Sequence, residues 1–148
     1  LMTQGGDDIR AAAEAARQID PAFLLSVARG SSDHACTFLK YASELVLRRP
    51  MASVGPSVKS IYDVDLAARG ALCLSVSQSG MSPDIVRMTK SVTEAGGMSV
   101  AITNNAASDL AEVATHTLSL HAGPELSVAA TKTFVTSLVA GLWLIAEI

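Results

Sequence analysis

The chain contains few aromatic residues, and this shortage narrows its fold class. Aromatic side chains make up 4% of its 148 residues, whereas hydrophobic residues make up 49%. A core with so few aromatic rings is built from Ala, Val, Leu and Ile, which usually fill a buried parallel sheet covered by helices. The composition therefore predicts an α/β fold, and the length suits a single domain.

Long runs of one residue type are also missing. No run of Lys or Arg exceeds the pair Arg48-Arg49, and the net charge is −3, so a nucleic-acid surface is not expected. The longest apolar stretch, 138–146, is shorter than the roughly 18–20 residues that cross a bilayer. The first 20 residues contain no signal-peptide core. We therefore expect a cytoplasmic protein without a nucleic-acid or membrane partner.

Metal and cofactor motifs are absent as well. Cys36 and Cys73 stand apart and predict free core thiols, and the three histidines show no metal spacing. The turn after the first predicted strand lacks two glycines of the dinucleotide fingerprint, no Gly-Lys pair exists for a P-loop, and Ser77 replaces the first glycine of a nucleophile elbow. We expect neither a metal nor a cofactor, and serine hydrolysis is improbable.

Buried strands alternate with helical segments along the chain. Short apolar runs predict strands at 22–28, 51–54, 71–76, 98–103 and 115–120. Helices are expected at 7–18, with Asp7 or Asp8 as the cap, at 33–48, from Ser82 to Gly96, at 109–114, and from about Val128 to the end. This alternation predicts a doubly wound, five-stranded parallel sheet of flavodoxin-like order 2-1-3-4-5, with helices on both faces. Residues 1–20 form the N-terminal helix and 21–148 the domain.

Two polar turns, 30–33 and 77–82, each follow a buried strand and open the next helix. Helix N-termini present free N–H groups that bind anions, and strands 1 and 3 are neighbours at the switch point of the predicted order. Serine hydroxyls add uncharged donors to a phosphate. The sequence therefore predicts a phosphate or other small-anion site between the turns. The alternative is that these serines only cap helices.

The sequence motifs around these turns resemble those of a known family, the sugar isomerase (SIS) domains. Three blocks carry the resemblance in order, 28–32, 77–80, and 122–125 with 128–134, and they read ARGSS, SQSG, AGPE and VAATKTF. They are most similar to the first half of the isomerase part of glucosamine-6-phosphate synthase and its deaminase relatives. The resemblance covers nearly the whole chain.

The resemblance implies a role for individual residues of the three blocks. The phosphate contacts implied are Ser32, Ser77, Gln78, Ser79 and Ser82. The sugar contacts implied are Gly30, Ser31, Val128 and Ala130, although Ala130 stands where the synthase carries a serine.

The resemblance also implies that catalysis needs more than this segment. Enzymes of this branch join two such domains, and the second supplies the proton-transfer residues, so the catalytic residues of this chain are unknown and we expect a second SIS domain or a homodimer partner. Both ends of the chain look cut. The expected function is binding of a hexose or aminohexose 6-phosphate as half of an isomerase or deaminase. Two alternatives are a regulatory phosphosugar sensor and a domain without a ligand. Local acid–base candidates are His121, Glu125 and Lys132.

Overall fold

The computed structural model describes residues 5–125 and 130–148, which form one α/β unit: a central sheet with helices on both faces. Its strands are β1 Phe23–Ala28, β2 Met51–Val54, β3 Ala71–Val76, β4 Met98–Thr103 and β5 His116–Ser119. Its helices are α1 Gly6–Ile19, α2 Ser31–Val46, α3 Ser57–Ser60, α4 Pro83–Glu94, α5 Asp109–Val113 and α6 Lys132–Glu147. The strands pair in parallel in the order β2-β1-β3-β4-β5, which confirms the predicted topology.

Alternate residues of the central strands face two separate hydrophobic clusters. Leu24, Leu72 and Val100 belong to the cluster that includes residues of α1, α2 and α6. Leu25, Cys73 and Ala101 belong to the cluster that includes residues of α4 and α5. Because α2 follows β1 on one face and α4 follows β3 on the other, the chain connections diverge between these two strands. This divergence produces the crevice of a doubly wound sheet.

Several helix boundaries differ from the sequence prediction. Helix α2 starts two residues earlier than expected, so that Ser31 lies in its first turn, and Arg48 has left the helix with φ +57°. The N-cap of α1 is Gly5, without a side-chain capping bond, so the predicted Asp7 or Asp8 cap was wrong. Both carboxylates lie in the first turn, where their negative charge interacts favourably with the positive end of the helix dipole.

Helix α6 begins at Lys132, later than the start predicted near Val128, which lies outside the described residues. The carboxylate of Glu125 explains the boundary. Its Oε2 accepts hydrogen bonds from the backbone N–H groups of Thr131 at 3.2 Å and Thr133 at 3.1 Å, and from the Thr133 hydroxyl at 3.1 Å. These donors would otherwise be unpaired at the start of the helix. Across the described part of the chain, no helix combines the length and apolar character needed to span a bilayer.

Candidate functional site

A cavity of about 230 Å³ opens where the carboxyl ends of β1 and β3 lie side by side. The two strands pair through to Ala28 opposite Val76, so the turns that follow them are neighbours. Helices α2 and α4 start from these turns, and their N-termini flank the cavity. The residues that line it are Arg29, Ser31, Ser32, Val76, Ser77, Gln78, Ser79, Ser82, Ile85 and Ala130.

Most of the residues singled out in the sequence line this one cavity. They include all the predicted phosphate contacts, Ser32, Ser77, Gln78, Ser79 and Ser82, together with Ser31 and Ala130. Gly30 lines the adjoining cavity of about 460 Å³ instead, and Val128 lies outside the described residues. The fold therefore brings parts of all three sequence blocks together, although the contacts with a ligand remain predictions.

The first turn depends on the conformation of Gly30. Its backbone has φ +58° and ψ −134°, a region that residues with a Cβ rarely enter. This geometry ends β1 and turns the chain directly into α2, where the N–H of Asp33 bonds to the carbonyl of Gly30 at 3.1 Å. Ser31 and Ser32 consequently lie in the first helical turn beside the cavity.

The second turn is held by its own serines and by the neighbouring strand. The hydroxyl of Ser77 accepts the N–H of Gly80, and that of Ser79 accepts the N–H of Met81, both at 3.2 Å. The Gln78 carbonyl accepts the N–H of Asn104 at 3.0 Å, so the turn is tied to the residue after β4. These bonds fix the backbone that carries the predicted phosphate contacts.

Gly80 makes the second turn sterically possible. It has φ +66°, and a Cβ at this position would lie 2.1 Å from Oγ and 2.4 Å from Cβ of Ser108, and 2.9 Å from Oγ1 of Thr103. Ser108 is the N-cap of α5, and its hydroxyl accepts the N–H of Ala111 at 3.4 Å. The turn therefore packs directly onto the start of α5.

Helix capping does not explain the serines at the two helix starts. Ser82 occupies the N-cap position of α4, yet its side chain makes no capping hydrogen bond. The N-cap of α2 is Gly30, which has no side chain to offer, while Ser31 and Ser32 follow it inside the helix. Ser82 also lines the cavity.

A residue that the sequence did not single out, Asn104, orders the loop that begins the third block. Its Nδ2 donates to the Gly123 carbonyl at 2.8 Å, and its Oδ1 accepts the N–H of Ala122 at 2.9 Å. Further along, the Lys132 ammonium donates to the Pro124 carbonyl at 2.7 Å. The polar pair Asn104-Asn105 directly after a buried strand was the available signal. Glu125 and Lys132 thus have structural partners, and neither lines the cavity.

One residue with a positively charged side chain also lines the cavity, and the sequence analysis gave it no role. Of the described residues that line it, Arg29 alone carries a charge. The Nε of Arg29 donates to Oδ2 of Asp84, a carboxylate in the first turn of α4. The sequence had suggested an anion site built from dipoles and hydroxyls, but the structure adds a guanidinium group to them.

Neither cysteine has the character of a nucleophile. Burial raises the pKa of the Cys36 thiol to about 12 and that of Cys73 to about 11, so both remain protonated near neutral pH. Both are free, as the sequence predicted. Within residues 5–125 and 130–148, no three His, Cys, Asp or Glu side chains gather as a metal site.

Comparison with known proteins identifies the family. Residues 22–147 match the model of the SIS domain. The chain belongs to the SIS domain family. It is 36% identical over 121 residues to a glutamine–fructose-6-phosphate aminotransferase (isomerizing) from Sulfolobus acidocaldarius, a match that covers 82% of this chain and 20% of that protein. This SIS chain therefore spans about a fifth of the length of that relative.

Two solved structures resemble this SIS domain. A candidate phosphosugar isomerase from Silicibacter pomeroyi superposes with a TM-score of 0.97 at 59% identity, over 99% of this chain and 45% of its own. The Vibrio vulnificus NanR protein complexed with ManNAc-6P superposes with a TM-score of 0.78 at 19% identity, over 95% of this chain and 53% of its own. At that lower identity the likeness shows the fold alone.

Proposed function

We propose that this chain binds a hexose or aminohexose 6-phosphate as the phosphosugar-binding half of a phosphosugar isomerase or an aminosugar-phosphate deaminase. The observation that carries the proposal is the single cavity lined by residues of all three sequence blocks. Two helix N-termini, several serine hydroxyls and one guanidinium group flank it, and these are the groups that bind phosphate in proteins.

The roles proposed for individual residues follow from their positions. In this proposal the phosphate is bound by Ser32, Ser77, Gln78, Ser79 and Ser82, which line the cavity, and the sugar contacts Gly30, Ser31 and Ala130. A carbohydrate of this class needs both a charged contact and several hydroxyl contacts, because its uncharged part is strongly hydrated. Val128 keeps its proposed sugar contact from the resemblance alone.

The lining favours binding over catalysis by this segment alone. Proton transfer between C1 and C2 of a sugar needs a base within hydrogen-bond reach of the proton that it removes. Among the described lining residues, the polar groups are serines, one glutamine and one arginine, which are weak acids and bases near neutral pH. We therefore propose that a second domain supplies the proton-transfer groups.

An exposed apolar face on α2 and α6 supports the proposal of a covering domain. The two helices contact each other, and each leaves large apolar side chains in solvent: Phe38, Tyr41, Leu45, Val135, Val139 and Leu142. Leu45 is 79% exposed and Tyr41 is 63% exposed. Large apolar side chains exposed on two neighbouring helices are often covered by a partner. The Silicibacter relative is about twice as long as the matched region, which leaves length for a second domain.

A regulatory module is the second candidate function. The specific observation that favours it is the Vibrio NanR fold, which was solved with N-acetylmannosamine 6-phosphate bound. In this case the same cavity binds the sugar phosphate, and the exposed helical face transmits the bound state to a partner. Both candidates require phosphosugar binding, but only the first requires turnover once the partner domain is present.

Calorimetric titration with fructose 6-phosphate, glucosamine 6-phosphate and N-acetylmannosamine 6-phosphate tests the proposal, with unphosphorylated fructose as the ligand control. Ser82→Ala removes a hydroxyl that makes no capping bond and should weaken binding by about 1.5–3 kcal/mol, the usual loss of a hydrogen bond to a charged group. Ser60→Ala, in α3 and outside the cavity lining, is the matched control. Absence of binding by the unmodified chain, or equal affinities for both variants, contradicts the proposal.

A further inference from the structure

Arg29 lies between the two cavities at the carboxyl edge of the sheet. It follows the last residue of β1 and lines both the candidate phosphate cavity and the adjoining cavity above β1 and β2. Its side chain is 57% exposed, so that ligands and salt can reach the guanidinium group. The side chain crosses from the first turn to α4, where it meets Asp84.

Asp84 places a carboxylate at the helix end that is proposed to receive phosphate. It lies in the first turn of α4, its Oδ1 accepts the N–H of Ile85 at 3.0 Å, and its side chain is only 18% exposed. A carboxylate there interacts favourably with the positive end of the helix dipole, but it also repels an incoming phosphate dianion. Among the described residues, Arg29 is the cation paired with it. The Lys and Arg ion pairs found elsewhere do not involve Asp84.

We propose that Arg29 neutralises Asp84 and thereby makes the N-terminus of α4 accept the phosphate dianion of a sugar phosphate. The inference rests on the proposed function, because it concerns the same cavity. The pair joins the two turns, which are 55 positions apart in sequence, and Arg29 is also a lining residue of the cavity. An arginine suits this place because its planar group donates to a carboxylate and a phosphate at the same time.

Charge compensation and a purely structural bridge predict opposite results for Asp84→Asn. If Asp84 repels the ligand and Arg29 offsets that repulsion, Arg29→Ala weakens binding, whereas Asp84→Asn strengthens it. If the pair only holds the two turns together, breaking it from either side weakens binding to a similar extent. Asparagine keeps the acceptor for the Ile85 N–H, so this variant changes the charge with little change in shape.

The experiment measures the affinity of the unmodified chain and its variants for fructose 6-phosphate and inorganic phosphate by calorimetry at low and high salt. We expect Arg29→Ala to bind about tenfold more weakly, the scale of one lost hydrogen bond to a charged group. Asp84→Asn should bind about two- to fivefold more tightly, the scale of a partly exposed charge. The double variant should bind more tightly than Arg29→Ala alone, and Arg29→Lys should bind more tightly than Arg29→Ala, because it keeps the charge, but more weakly than the unmodified chain. All of these differences should shrink at high salt.

Arg49→Ala is the control, because it breaks another Arg–Asp ion pair, Arg49 to Asp20 at 2.9 Å, outside the cavity. Circular dichroism checks the fold of each variant, and the sign of the Asp84→Asn effect tests the inference even if Arg29→Ala fails to fold. If the unmodified chain binds but Asp84→Asn weakens binding, or Arg29→Ala matches Arg49→Ala, the inference is overturned alone. If the unmodified chain binds neither probe, the proposed function fails and takes the inference with it.

Discussion

Replacing Gly80 with alanine tests the steric basis of the second turn. An alanine there must adopt φ +66° and place its Cβ 2.1 Å from the Ser108 hydroxyl oxygen. The left-handed backbone costs about 1–2 kcal/mol for a residue with a Cβ, and forced overpacking costs about 1–3 kcal/mol. We expect Gly80→Ala to lower the free energy of unfolding by about 2–5 kcal/mol, the sum of these two contributions.

Gly70→Ala separates the two contributions. Gly70 has φ +77°, but a Cβ there meets nothing within 4 Å, so this variant carries the backbone cost without the clash. Urea unfolding followed by circular dichroism measures the free energy of unfolding of both variants. In thermal unfolding, the melting temperature should fall by about 5–15 °C for Gly80→Ala and by less for Gly70→Ala. Combining Gly80→Ala with Ser108→Gly should recover part of the loss. Equal destabilisation by the two alanine variants would refute the argument that Gly80 is needed for close packing.

Two further predictions concern α6 and the buried thiols. Glu125→Ala should lower the free energy of unfolding by about 1 kcal/mol, because it removes the acceptor of the first N–H groups of α6, and Glu125→Gln should lower it by less. Faster amide exchange of residues 131–135 would verify this prediction, and unchanged exchange would contradict it. The Cys73 thiol has a pKa raised by burial from its ordinary 9.0 to about 11, so its contribution to stability is complete below pH 9 and is lost as the pH rises toward 11. Urea titrations between pH 8 and 11 measure that loss, and rapid thiol labelling of the folded chain at pH 8 would disprove the burial.

The sequence predicted the sheet well because its signals are local and strong. The apolar runs 51–54, 71–76 and 98–103 are strands with the predicted limits. The alternation with helices indicated a doubly wound sheet, and the common order of such sheets, 2-1-3-4-5, is the order found. The predicted start of α6 was wrong because the acceptor for its first N–H groups is the carboxylate of Glu125, several residues upstream, which the periodicity of the helix does not reveal. Capping from a distance depends on tertiary geometry.

The candidate site was partly visible in the sequence for a related reason. Serine-rich turns after buried strands indicated which residues meet at the carboxyl edge, and the cavity lining includes them. The pairing of Arg29 with Asp84 was not visible, because it spans 55 positions and joins two turns that only the completed sheet brings together. Asn104 was missed for the same reason, since its partners lie 18 and 19 positions further along the chain.

The two edge strands of the sheet, β2 and β5, contain four residues each. Short edges offer few unpaired backbone groups to a strand from another molecule, which limits growth of the sheet by intermolecular pairing. The exposed face of α2 and α6 has no comparable protection, since its large apolar side chains lie in solvent. Concentrated solutions of the chain should therefore associate through helices and keep their strand content constant, and lowering the apolar exposure at Leu45 should raise solubility more than any change at the sheet edges.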